Sequence, residues 1–103
     1  MKIVLTNLAP DDAPAIAKTL VAEGLVACVN LYPVRSIYRW EGQVCDEPEM
    51  TMMMKVATEG VKTLRARLEQ LHPYDVMEFV VLEVDAEASL PAYVQWVREH
   101  SRG

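Results

Sequence analysis

The stretch Ser36-Ile37-Tyr38-Arg39-Trp40-Glu41-Gly42-Gln43 limits what this chain can become more than any other. Glu41-Gly42 is a tight-turn signal, because glycine takes the positive φ that two-residue hairpin turns require. β-formers flank it on both sides, from Val26 to Trp40 going out and from Val44 to Val56 coming back. If continuous, each arm holds about fourteen residues and reaches roughly 46 Å at ~3.3 Å per residue. A compact domain of about 100 residues has a radius of gyration near 13 Å and so a diameter of only about 33 Å. Such a hairpin outgrows its own body. It must bend sharply or reach another chain.

The length of 103 residues predicts a single domain over 1–103, with a real core but little surplus. Apolar residues make up 51% and charged residues 24%, the balance of a globular protein rather than a disordered one. The formal charge of −5, with no cluster of Lys and Arg to interrupt it, argues against a nucleic-acid partner. No apolar run approaches the ~20 residues that span a bilayer, and the first apolar stretch, Ile3-Val4-Leu5, is too short for a secretory signal. The expectation is a cytoplasmic protein without membrane attachment. The two cysteines fit that compartment. Pairing about Glu41-Gly42 sets Cys45 opposite Tyr38, roughly 33 Å along the arm from Cys28, far beyond disulfide reach. Both thiols are expected free, as in a reducing environment.

Lys2 to Leu8 reads as the first strand. Asp11 is the expected N-cap of a helix whose apolar face is Ala13, Ile16, Ala17, Leu20 and Val21, ended by Gly24. Pro33 and Pro48 fall in the two hairpin arms and should mark bends, while guarding the hairpin against indiscriminate edge pairing. Met50, Met52 and Met54 alternate along one face of the returning arm and read as core filling. Thr58 should cap a second helix carrying Val61, Leu64, Leu68 and Leu71, which His72-Pro73 ends. Phe79 to Val84, nearly continuous in apolarity, reads as a central strand. Ser89 should cap a last helix with Leu90, Tyr93, Val94, Trp96 and Val97. The order β-α-β-β-α-β plus a helix is the ferredoxin-like α+β arrangement, an antiparallel sheet with two helices on one face. The other face needs cover that one chain supplies only in part, and a second subunit is the natural source.

Few residues announce chemistry. No nucleophilic triad and no Gly-rich phosphate loop is present, which speaks against an enzyme. Cys28, Cys45, His72, His100 and the methionines are the types that ligate copper, yet none has a ligand spacing of its own. His72 is either a helix-terminal imidazole suited to the dipole or a metal ligand. Glu78 must be paired or at the surface, with Lys55 as an obvious partner. Tyr38 and Trp40 need cover that a hairpin tip does not give them.

Ala27-Cys28-Val29-Asn30, Ser36-Ile37-Tyr38-Arg39-Trp40-Glu41-Gly42, Lys55, Leu71-His72-Pro73-Tyr74, Glu78 and the Tyr93…Trp96 ending together resemble the CutA divalent-cation-tolerance family. The resemblance covers essentially the whole chain. It implies a ferredoxin-like subunit in a homotrimer, a link to tolerance of divalent metals such as copper, and no established enzymatic reaction. The plan is also similar to that of PII signalling proteins, which bind small effectors between subunits. Two departures stand out. Copper ligands proposed in the family include a cysteine near the end of strand one and a histidine pair before Pro-Tyr. Here Thr6-Asn7 and Leu71-His72 occupy those places, so only His72 carries over. Met77 stands where the family commonly has proline.

The expected protein is thus a homotrimer binding copper, another divalent cation or a small ligand in clefts between subunits, with no organic cofactor. Tyr38, Trp40, Lys55, Tyr74 and Glu78 would line the cleft, Lys55 and Glu78 would form a charge pair, and His72 would be the metal ligand. The rival expectation is a regulatory trimer whose hairpin tips engage a partner protein, its metal effects being indirect.

Overall fold

The computed structural model describes residues 1–101. Four strands form one antiparallel sheet in the order β2-β3-β1-β4, from β1 (Lys2–Leu8), β2 (Cys28–Trp40), β3 (Gln43–Val56) and β4 (Val80–Glu83). Helices α1 (Ala13–Ala22) and α2 (Val61–Leu71) fill the two crossovers, and α3 (Pro91–His100) follows the sheet. This is the ferredoxin-like α+β fold. Alternation puts Val4, Leu8, Met52, Met54 and Val56 on one face, where they bury against Ala13, Ala17 and Leu20 of α1 and Leu64 and Leu68 of α2. Met52 and Met54 are core residues, as their spacing predicted.

The hairpin is as long as its sequence suggested. Pairing runs unbroken from Cys28↔Lys55 to Trp40↔Gln43, with Tyr38 opposite Cys45. Glu41 and Gly42 have φ of 49° and 77°, which makes a two-residue type I′ turn. The described chain measures 45 × 27 × 21 Å, the long dimension matching a hairpin arm. Pro33 and Pro48 do not interrupt it, since the register passes through both. β2 is an edge strand, and β1 stops pairing at Leu8↔Met50, so Pro48 also stands at an edge. A proline there removes no ladder bond on its open side.

Several ends differ from expectation. Asp12 rather than Asp11 stands at the start of α1, without a side-chain cap bond, and Pro14 opens the helix. Gly24 does end it: its φ of +72° goes with Gly24 N–H to Val21 O at 3.0 Å and Leu25 N–H to Leu20 O at 3.1 Å, the paired bonds of a Schellman stop. Thr58 begins a 3-10 turn, and Gly60 takes the N-cap position of α2. Ser89 belongs to a turn closed by its hydroxyl donating to Asp85 O at 2.7 Å, leaving Leu90 before α3.

The largest correction concerns β4. It is not central but an edge, paired with β1 alone and exposed at all four residues. A strand apolar on both faces reads alike whether its neighbours come from its own chain or from another. Tethering of α3 is specific. The buried Ser101 hydroxyl accepts from Ala57 N–H at 2.9 Å and donates to Leu25 O at 3.1 Å, and Val97 buries fully.

Candidate functional site

Directly opposed residues of an antiparallel pair share a face. By that rule Ser36, Tyr38 and Trp40 of β2, Glu47, Glu49 and Thr51 of β3, and Asn7 of β1 all lie on the sheet face away from α1 and α2. β4 covers only Lys2 to Leu5 of β1, so the backbone of Asn7 has no strand beside it on that side. The segment after α2 fills the gap. His72 Nε2 lies 3.1 Å from Asn7 O, and His72 Nδ1 accepts the Tyr74 N–H at 3.2 Å. This assigns the proton to Nε2. The chain then swings onto the open face, where Tyr74 Oη donates to Glu49 Oε2 at 2.8 Å and Asn7 Nδ2 to Glu78 Oε1 at 3.4 Å. Thr51 Oγ1 donates to Asn7 Oδ1 at 2.6 Å, which fixes the amide.

A cavity of about 550 Å³ results, lined by Asn7, Ser36, Ile37, Tyr38, Trp40, Glu47, Glu49, Tyr74, Val76 and Glu78. Of the residues singled out from sequence, Tyr38, Trp40, Tyr74 and Glu78 therefore meet in one place. Lys55 does not join them. It donates to Asn30 Oδ1 near the other end of β3 and makes no pair with Glu78. From Thr51, beside Asn7, to Lys55 is four strand residues, roughly 13 Å. The bond a lone apolar-strand lysine needs is supplied by its diagonal neighbour instead.

His72 is next to the cavity, 4.9 Å from the Tyr74 ring between centroids, but it is built in as a joint. Only 7% exposed, it spends both ring nitrogens on backbone partners. Burial pushes its pKa below the usual value, despite the opposing backbone bond and nearby Glu49 and Asp12. A metal at His72 would have to displace one of those two backbone partners. Neither Cys28 nor Cys45 lines the cavity, and its carboxylates are hard donors, poorly matched to copper(I). Among the described residues, no three His, Cys, Asp or Glu side chains are grouped so as to hold a metal ion.

Electrostatics set the cavity apart. Glu49 is 6% exposed and held by the Tyr74 hydroxyl. Desolvation raises the Glu78 pKa, and the neighbouring Glu49 charge raises it further. Tyr74 is driven well above its ordinary range by burial and by the Glu49 bond. Asn7, Glu47 and Glu49 were not singled out as cleft residues, although the register around Glu41-Gly42 places Glu47 opposite Ser36 and so on the face of Tyr38.

Residues 2–100 match the family described as CutA1 divalent ion tolerance protein. This chain belongs to the CutA family. It is 40% identical over 100 residues to the divalent-cation tolerance protein CutA of Thermus thermophilus, covering 96% of this chain and 95% of that one. The structure superposes with a TM-score of 0.97 on the PII-like protein CutA from Nostoc sp. PCC 7120 in apo form, at 55% identity over 99% of this chain and 98% of that one. A CutA from Archaeoglobus fulgidus described as periplasmic matches with a TM-score of 0.91 at 25% identity, covering 99% and 100%. No helix among the described residues is long and apolar enough to cross a membrane.

Proposed function

We propose that this CutA-family chain acts over residues 1–103 as one domain of a homotrimer, binding a small ligand in a cleft on the open sheet face as part of tolerance to divalent cations. The observation that carries the reading is the cavity itself, where three distant segments converge: Asn7 of β1, the hairpin from Ser36 to Glu49, and Tyr74 to Glu78 after α2. The assembly has its own support. The two sheet edges carry different exposed apolar sets: Leu31 and Tyr32 on β2, Val80, Val81 and Leu82 on β4. A contact between unlike edges is head-to-tail, and a head-to-tail contact that closes makes a ring. The reading is of a binding protein, not an enzyme, and the metal effect reaches it through the ligand rather than through copper held by His72. Two unpaired thiols support the cytoplasm as its compartment.

Light scattering tests the assembly: a mass three times the 11.6 kDa chain is expected, and a monomer at micromolar concentration sinks the trimer. For copper, titration of wild type and His72→Ala should give the same stoichiometry and affinity, and loss of a tight site in the variant overturns the indirect reading. A second reading, a PII-like regulator that engages a partner protein, draws on the tip, where Ile37, Trp40 and Val44 stand exposed. The Nostoc relative is itself called PII-like.

A further inference from the structure

Resting on the cleft reading above, we propose that the cleft is built for a small organic cation, an alkylammonium or guanidinium group seated among the rings of Tyr38, Trp40 and Tyr74 and facing Glu49 and Glu78. The lining includes Glu47, Glu49 and Glu78 and no Lys, Arg or His. Of the basic residues on the hairpin, Arg35 makes a two-bond pair with Asp46 at 2.8 and 2.6 Å, Lys55 donates to Asn30, and Arg39 falls on the sheet face opposite Tyr38 and Trp40. An anion would therefore meet carboxylates with nothing to offset them. A bare metal ion is a poor match, because the carboxylates do not converge and Glu49 and Glu78 already accept bonds from Tyr74 and Asn7.

The walls point the same way. Aromatic faces beside carboxylates attract quaternary and primary ammonium groups, through the ring quadrupole and direct charge together. Within the single chain Trp40 is 48% exposed and Tyr38 and Tyr74 somewhat less, so the subunit's own fold leaves these rings partly uncovered at the cleft. The volume of about 550 Å³ lies in the range of small-molecule sites. A cation also relieves the desolvated Glu78, whose carboxyl is pushed toward neutrality by burial and by Glu49.

Three near-isosteric probes of different charge decide the matter on the assembled full-length protein: choline, its neutral carbon analogue 3,3-dimethylbutan-1-ol, and the anionic 3,3-dimethylbutanoate. The readout is Trp40 emission in a Trp96→Phe background, which leaves Trp40 as the sole tryptophan. Choline should saturate the signal and bind about tenfold or more tightly than the alcohol, given the strength of a desolvated cation–π contact. Glu78→Gln should weaken choline while leaving the alcohol unchanged. Lowering the pH should weaken choline in wild type and do less in Glu78→Gln. If the alcohol or the carboxylate binds as well as choline, the cation class is wrong but the cleft stands. If none of the three moves Trp40, the cleft reading falls with it. If choline binds only after Arg39→Ala, the occupant is a neighbouring copy's arginine and the proposal is overturned.

Discussion

At the scale of single residues, the polar groups around Asn7 explain why the open face holds its shape. His72 replaces the strand neighbour that Asn7 lacks, and its neutral Nε2–H tautomer is required by the Tyr74 N–H that Nδ1 accepts. Because burial depresses the His72 pKa, the folded state resists protonation where the unfolded chain accepts it. The unfolded chain then binds more protons just below the ordinary value of 6.5, so stability is complete above that pH and is lost as pH falls below it. Thermal melts at pH 7.5 and 5.5 should show this loss in wild type, and His72→Gln, though less stable, should show less of it. Glu78 works in the opposite sense. Its raised pKa means that the folded protein takes up a proton before the unfolded one does, so Glu78→Gln should stabilise at neutral pH and the difference should shrink as pH falls through the folded pKa. Thr6 offers a cleaner measurement. Its Oγ1 is the buried side-chain polar atom without a hydrogen-bond partner among the described residues. Thr6→Val keeps the shape and removes the orphan, and chemical denaturation should show a gain of about 1 kcal/mol.

At the scale of elements, the β2–β3 hairpin carries a local conflict at its turn. Glu41 sits in the left-handed region at φ 49°, where a side chain other than Asn or Asp is strained. Glu41→Asn should stabilise by on the order of 1 kcal/mol in denaturant melts without changing the m-value, and a destabilised variant would show that the glutamate has a contact that outweighs the strain. This hairpin was also the most legible part of the sequence. Turn residues, β-formers and a period of two set its register to the residue, and the register brought Tyr38 and Trp40 onto one face with Glu47 and Glu49. Helix starts were poorly legible: Asp11, Thr58 and Ser89 are all good caps, yet turns of the adjacent loops compete for the same side chains, as the Ser89 bond to Asp85 shows. The cleft was half legible for a related reason. Asn7 and the segment from His72 to Glu78 meet only because β4 stops short of Asn7, and the length of an edge strand has no local signal.

At the scale of the whole molecule, the exposed apolar surface includes the outer edge of β4 and one side of α3, where the proposed trimer would join its subunits. Val80, Val81 and Leu82 on β4 read as buried in sequence and are open in the single chain, and Tyr93 and Trp96 stack face to face on α3 with centroids 5.7 Å apart and remain open as well. Leu82 lies opposite Ile3 at the outer edge, on the same face as Asn7 and the cleft. Its removal deprives the isolated fold of little, since it is already 40% exposed. Leu82→Lys should therefore leave the circular dichroism of the subunit intact while converting the proposed trimer to monomer in light scattering. Charge on an exposed edge strand blocks pairing with another strand. Wild-type melting should rise with protein concentration, as mass action requires of an oligomer that stabilises its subunits, and the variant's should not. A Leu82→Lys protein that remains trimeric at micromolar concentration would place the contact elsewhere, on β2 and the hairpin alone, and the unlike-edge ring would be the wrong architecture.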